Sequence, residues 1–412
     1  MPPHVSSRVK PHKDYGKLVF SRIMLGLPSH AAASLYIMEL SSEDTFCLNV
    51  MLATGVQAVR IDTSSMTVYG LTEQGAASVK LHPTCRHDQY LKGVRQALAE
   101  HALDSPEGYP VYLRRWTRMG QLRDDNLARL LLTGEEEAIV AVVHAPGLTD
   151  EIARRAWWAM PTLENARRML EKEQVAHGAM GRVLADFLVE HLPFEENPVA
   201  IMDTVRWLLH YDLVDEAAQI TLWNRGREHG AYYLGFLEIR PNCLPKQLTP
   251  RADFAQHSAL LAPLTETGNP FALQLMRLLS APGQSFLAGC EEALQRPGTH
   301  EIVSPLLNTI GHYFADLKEY LVPAESIANL LIEGAQLATG KPDTPPALLA
   351  LLNTTPHLRE DIGAMLILAR THADLALPIL RRTTAVNALL CTKLQPVFDP
   401  LAQQIQVLRR AK

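Results

Sequence analysis

His82, Cys85, His87 and Asp88 stand together in the order His-x-x-Cys-x-His-Asp, and imidazole, thiolate and carboxylate groups are what hold zinc and other transition metals. The spacing follows no standard ligand template, and metal sites usually draw a second ligand pair from elsewhere in a recognisable pattern. The expectation is therefore no metal and no cofactor, with polar residues marking a passage from strand to helix. A metal on His82, Cys85 and His87 is the alternative. Cys85 as a reactive thiol is a further alternative, one that requires exposure and a lowered pKa.

The densest chemical feature runs from Tyr109 to Arg168. Tyr112, Arg114, Arg115, Trp116, Arg118 and Arg123 are followed by Arg154, Arg155, Trp157 and Trp158, and then by Arg167 and Arg168. Guanidinium groups bind phosphate or carboxylate at two points and stack on aromatic rings, so such a groove could hold RNA or an acidic protein. Glu135, Glu136, Glu137, Asp150, Glu151, Glu164 and Glu171 share the region, and a solvated, salt-bridged face is the common fate of mixed charges. Trp157 and Trp158 are adjacent and cannot share one helix face, so at least one must anchor a neighbour or lie exposed.

Other patterns carry less. Gly334 to Lys341 fails as a phosphate loop, because five residues separate Gly334 from Gly340 and Pro342 replaces the magnesium-binding hydroxyl. His210, Asp212 and Glu216, like Arg225, Arg227, Glu228 and His229, are close in sequence, but acid–base catalysis needs a convergent pocket that spacing does not supply. No catalytic residue is assigned.

Composition bounds the answer. With 412 residues, 47% of them hydrophobic and 20% charged, the chain is a folded protein with more than one structural unit or one extended array. A net charge of −5 gives no general attraction for nucleic acid, so RNA binding would have to be local. The five cysteines are widely spaced with no Cys-x-x-Cys pair, which fits a reducing, cytoplasmic compartment. No run approaches the roughly 18 to 20 apolar residues of a membrane-spanning helix, so no membrane insertion is expected.

The elements that must position these groups read as mainly α. Residues 1–37 carry Arg8, Lys10, Lys13, Lys17 and Arg22 against Asp14; we expect a disordered extension with Met38 as the natural start, since Ser21, Arg22 and Ser29 interrupt any signal-like core. Residues 38–105 read as a small α+β element. Ser41 and Asp44 open a helix to about Ala53, and the runs Val56–Ile61, Met66–Leu71 and Ala76–Leu81 predict a short antiparallel β-meander. After His87 the period becomes helical. Thr149, Thr162, Asn197-Pro198, Ser304-Pro305 and Thr344-Pro345 predict helix starts. Short amphipathic helices must stack to hide their apolar faces, which predicts an irregular HEAT-like α-helical array without an exact repeat. Three prolines in Arg240 to Pro250 divide a first helical array, 106–240, from a second with the C-terminal helix, 251–412, through a Pro-rich joint at 241–250.

The stretch Tyr109 to Gly120, with His144-Ala-Pro-Gly-Leu-Thr149, Ala153-Arg-Arg-Ala-Trp-Trp-Ala-Met-Pro-Thr162 and Glu164-Asn-Ala-Arg-Arg-Met-Leu170, resembles the sulfur reduction protein DsrS family. The likeness runs from about Met38 to the end. It implies a cytoplasmic bacterial protein encoded with the reverse dissimilatory sulfite reductase system of sulfur oxidisers, and it carries no catalytic residue over. The expectation that follows is an accessory or regulatory, non-catalytic scaffold that binds a protein partner, with Arg114, Arg115, Trp116, Arg118, Arg154, Arg155, Trp157 and Trp158 as candidate binding residues. An RNA-binding regulator using the same residues and a sulfur- or metal-handling enzyme using Cys85 are the alternatives.

Overall fold

A computed structural model describes residues 40–103, 124–296, 298–340 and 344–410. The proposed extension 1–37 and the candidates Arg114, Arg115, Trp116 and Arg118 lie outside the described residues. Within them the chain is mainly α, with one three-stranded antiparallel sheet near its N-terminal end.

Helix α1 (Ser42–Ala53) starts where the Ser41 hydroxyl accepts the Asp44 amide, and it ends at Gly55, whose φ of +75° suits a residue without a Cβ. Strands β1 (Ala58–Asp62), β2 (Thr67–Thr72) and β3 (Gly75–Lys80) follow in the expected meander, with Ala58 opposite Leu71 and Val68 opposite Val79. Alternation splits the sheet's work between its faces. Val59 and Val68 point into a small core with Leu48 and Met51 of α1 and Tyr90, Leu91, Val94 and Leu98 of α2 (His87–Leu103). Ala58 and Leu71, on the other face, belong to the main core.

That main core is continuous from Ala58 to Leu408. Its first part is built by α3 (Asp124–Leu130), α4 (Glu136–His144), α5 (Asp150–Ala159), α6 (Leu163–Leu170), the single turn α7 (Glu173–Ala176) and α8 (Ala179–His191). Each packs on its sequence neighbours, α4 on α5 and α6, and α6 on α8. Then come α9 (Pro198–His210), α10 (Glu216–Arg225) and α11 (Ala231–Ile239). The threonine and asparagine caps expected at Thr149, Thr162 and Asn197 are all made, each side-chain oxygen accepting one or two otherwise unpaired amides.

Beyond the proline-rich stretch, α12 (Phe254–Glu266), α13 (Pro270–Leu279), α14 (Ala281–Gln295), α15 (His300–His312), α16 (Ile327–Leu337), α17 (Pro346–Thr354), α18 (Arg359–Ala369), the turn α19 (Leu377–Leu380) and α20 (Asn387–Arg409) complete the described chain. Helix α11 packs against α14 and α15 across the proline-rich stretch, and Leu244 inside that stretch is buried in the same core. Helix α20 does not extend the series. It returns to pack on α13, α14 and α18.

One sequence expectation needs correction. Ser304-Pro305 does not start a helix, because Pro305 lies inside α15, which begins at His300. Pro396 and Pro400 likewise lie inside α20. An interior proline costs a helix about 3 kcal/mol, and α20 offsets this by burying Leu390, Leu394, Val397, Phe398, Leu401, Ile405 and Leu408, at about 1.5–3 kcal/mol for each fully buried large side chain.

Close approach between elements depends on glycine at specific points. A Cβ on Gly311 of α15 would lie 2.0 Å from the Thr371 carbonyl oxygen, and backbone cannot move aside as a side chain can. Gly311→Ala is therefore expected to destabilise the fold by about 2 kcal/mol or more, measured as a lower midpoint in urea followed by circular dichroism. A midpoint equal to the parent's would show that α15 and the Thr371 segment separate freely.

Candidate functional site

The arginine- and tryptophan-bearing helix α5 sits against the outer face of the sheet. Arg60 on β1 and Tyr69 on β2 are register partners on that face, and the Arg60 guanidinium lies 5.1 Å from the ring centres of both Tyr69 and Trp158. Cation–π attraction of this kind stabilises by roughly 0.5–1 kcal/mol per contact at a partly exposed site. Beside it, Arg154 Nη2 donates to Gln57 Oε1 at 2.8 Å. Trp157 turns the other way and meets Phe187 of α8 edge-on at 4.8 Å; Phe187 in turn stacks on His191 at 4.1 Å. The adjacent tryptophans thus divide between two neighbours, one fastening the sheet and one fastening the next helix.

The arginines are spent on acids. Arg154 donates to Glu151 through Nε and Nη2, both at 2.7 Å, and Arg155 Nε reaches the same carboxylate at 2.8 Å. The Arg154 hydrogen bonds, with those from Arg155, hold the Glu151 carboxyl at about 2, well below its ordinary value, against a smaller opposing effect of burial. Arg167 pairs with Glu195 and Arg168 with Glu171. The structure brings Arg154 and Trp158 to the sheet, joins Arg155 to Arg154 through Glu151, places Trp157 on the opposite side, and leaves Arg167 and Arg168 in separate pairs.

His82, Cys85 and His87 are not gathered into a ligand set, and among the described residues no group of three or more His, Cys, Asp and Glu side chains is placed to hold a metal ion. His82 instead faces Asp44. The buried Asp44 carboxylate accepts the His82 backbone amide at 2.8 Å, His82 Nδ1 at 3.1 Å and the Tyr90 hydroxyl. Burial pushes the Asp44 carboxyl up, but the hydrogen bonds from Tyr90 and His82 outweigh it and hold it below the ordinary value. One carboxylate thereby joins α1, the exit from β3 and α2. Cys85, half-buried, packs on the small core with its thiol 3.6 Å from the Arg86 carbonyl.

Sequence reasoning passed over a second buried polar set. Arg251, with its side chain 1% exposed, pairs with Asp253 at 2.7 Å and with Asp361, which is wholly buried. Asp253 also binds His257 Nε2 at 3.1 Å, and His257 Nδ1 lies 3.4 Å from Nε2 of the exposed His357. The readable signal for Asp44 and Asp361 was an acid at a position whose +4 and +7 neighbours, Leu48 and Met51 or Met365 and Leu368, are buried apolar residues. Nothing comparable marked Arg251.

The chain matches no protein-family model, no curated protein and no solved structure. The described residues contain no helix long and apolar enough to cross a membrane.

Trp158→Ala is expected to destabilise by about 1–2 kcal/mol, through lost burial and lost cation–π contact, with Arg60→Ala costing less; urea denaturation of both variants checks the order. For Asp44 the folded carboxyl is lowered, so its contribution to stability is full above its unfolded value near 4 and is lost as pH falls through the folded value. Asp44→Asn should cost about 1–3 kcal/mol at neutral pH, and the gap from the parent should narrow below about pH 4. A gap that widens on acidification would contradict this assignment.

Proposed function

We propose that this protein is an accessory or regulatory, non-catalytic component of bacterial dissimilatory sulfur oxidation, a helical scaffold that docks a protein of the sulfite reductase system from a cytoplasmic setting. The observation that carries the docking half of this reading is the outer face of α1, where Phe46 and Val50, one turn apart, are 68% and 49% exposed while their helix is fixed from beneath by Asp44, Leu48 and Met51. Large apolar groups held outward on a rigid helix suit contact with another protein's apolar surface. The sulfur-oxidation half rests on the resemblance of the segments around Tyr109–Gly120, Ala153–Thr162 and Glu164–Leu170 to the DsrS family.

The rival readings have less behind them. RNA binding through Arg154, Arg155, Arg167 and Arg168 would have to displace Glu151, Glu195 and Glu171 from their present pairs. Chemistry at Cys85 would have to draw its thiol away from the small core on which it packs.

The test is gel filtration of the purified protein with purified dissimilatory sulfite reductase and the proteins encoded beside it, at physiological salt. Co-elution with one of them is expected, and Phe46→Glu combined with Val50→Glu should weaken it by at least about tenfold, since a charge buried in an apolar contact costs several kcal/mol. Failure of every one of these proteins to co-elute would remove the proposal.

A further inference from the structure

Two imidazole rings from segments 100 positions apart meet at the edge of the second buried polar set. His257 belongs to α12 and is 3% exposed, while His357 is exposed on the 3-10 turn Pro356–Leu358 that leads into α18. His257 Nδ1 stands 3.4 Å from His357 Nε2, and the ring centres are 5.2 Å apart. An ordinary N–H hydrogen bond spans roughly 2.7–3.2 Å, and an in-line one stretched to the length seen here would set the ring centres about 5.7 Å apart. The contact is therefore long for a hydrogen bond, and the rings are bent out of line.

Asp253 decides which nitrogen of His257 is free. It stands at the N-cap position of α12, yet its side chain makes no cap hydrogen bond. The carboxylate instead accepts from Arg251 Nε at 2.7 Å and from His257 Nε2 at 3.1 Å. An ionised carboxylate only accepts, so the proton of the neutral His257 ring sits on Nε2 and the Nδ1 lone pair is turned towards His357. A carboxylate behind a histidine in this way fixes the ring's orientation and makes it a better metal ligand. Arg251 is anchored in turn by the wholly buried Asp361, so the support extends two residues back from the ring. His357 makes no other hydrogen bond among the described residues.

We propose that His257 Nδ1 and His357 Nε2 together bind one zinc ion, with water completing its shell. Two zinc–nitrogen bonds of about 2.0–2.1 Å at the tetrahedral angle place their nitrogens about 3.3–3.4 Å apart and the ring centres about 5.2 Å apart. Both separations are those of this pair. Neighbouring corners of a square-planar ion would bring the nitrogens to about 2.9 Å, so the geometry favours zinc over copper(II). Two protein ligands are fewer than the three of a catalytic zinc, which makes this an open site with an exchangeable ion. Bound there, the ion ties α12 to the turn ahead of α18 and raises stability by mass action. This is independent of any partner docked on α1.

The test uses the full chain, stripped with a chelator and then titrated with zinc chloride in a calorimeter and with cobalt(II) chloride in a visible spectrometer, with magnesium chloride as control. A saturable zinc event is expected, with an upward shift of the thermal midpoint and the intense visible bands of tetrahedral cobalt. His257→Ala would disturb the buried carboxylates, so the exposed His357 carries the mutational arm. His357→Ala should leave the metal-free midpoint in place, weaken zinc binding by at least about tenfold and abolish the cobalt bands. The chain has sixteen histidines and five cysteines, and zinc held by others among them would persist unchanged in that variant. Such persistence, the pale spectrum of six-coordinate cobalt, or the absence of saturable zinc binding overturns the proposal.

Discussion

A helix of eight to fifteen residues with one apolar stripe has nowhere to put that stripe except against the next helix. Isolated, such segments are marginal in water, and their stability comes from the neighbour that covers them. In this chain the constraint is met without a break from Ala58 to Leu408. The three-stranded sheet obeys it too, giving one face to α1 and α2 and the other to the array. The fold is therefore less a set of domains than a chain of mutual coverings, in which each helix is the solvent shield of another.

Where apolar covering alone would leave alignment loose, polar groups specify it. Asp44 fixes three segments through one carboxylate, Arg60 sets the sheet under Trp158, and Arg251 with Asp361 sets α18 against the start of α12. Buried ion pairs add little net stability because desolvation offsets attraction, yet removing one partner is expensive. Their value here is in register: an aliphatic contact tolerates a sliding helix, and a desolvated carboxylate with named donors does not.

The sequence shows the local rules well. Ser41, Thr149, Thr162 and Asn197 announce their helices because a cap is decided by a few adjacent residues, and the meander is legible in three β-favouring runs of the right length. The candidate site was legible only in part. The run from Arg154 to Trp158 drew attention for its composition, but which ring meets which partner depended on Arg60 and Phe187, residues 98 and 30 positions from their tryptophans, counting from Arg60 to Trp158 and from Trp157 to Phe187. Pro305 misled, since it sits inside a helix, as Pro396 and Pro400 do, where tertiary burial outweighs the broken hydrogen bond. Arg251 gave no sign at all, because its meaning comes from residues 110 and 157 positions away.

That last separation bears on how the molecule is made. Helices α4 to α8 close on sequence neighbours, so during synthesis they can settle soon after they emerge. The region from α12 to α18 is different, because α20 lies across α13, α14 and α18 and brings the Leu408 carbonyl to Arg251. The Arg251 ion-pair set and the apolar surfaces that α20 covers stay open until that helix leaves the ribosome. The later half of this protein thus passes through a longer sticky, unfinished interval than the earlier half, and it is there that a chaperone would find the most to hold.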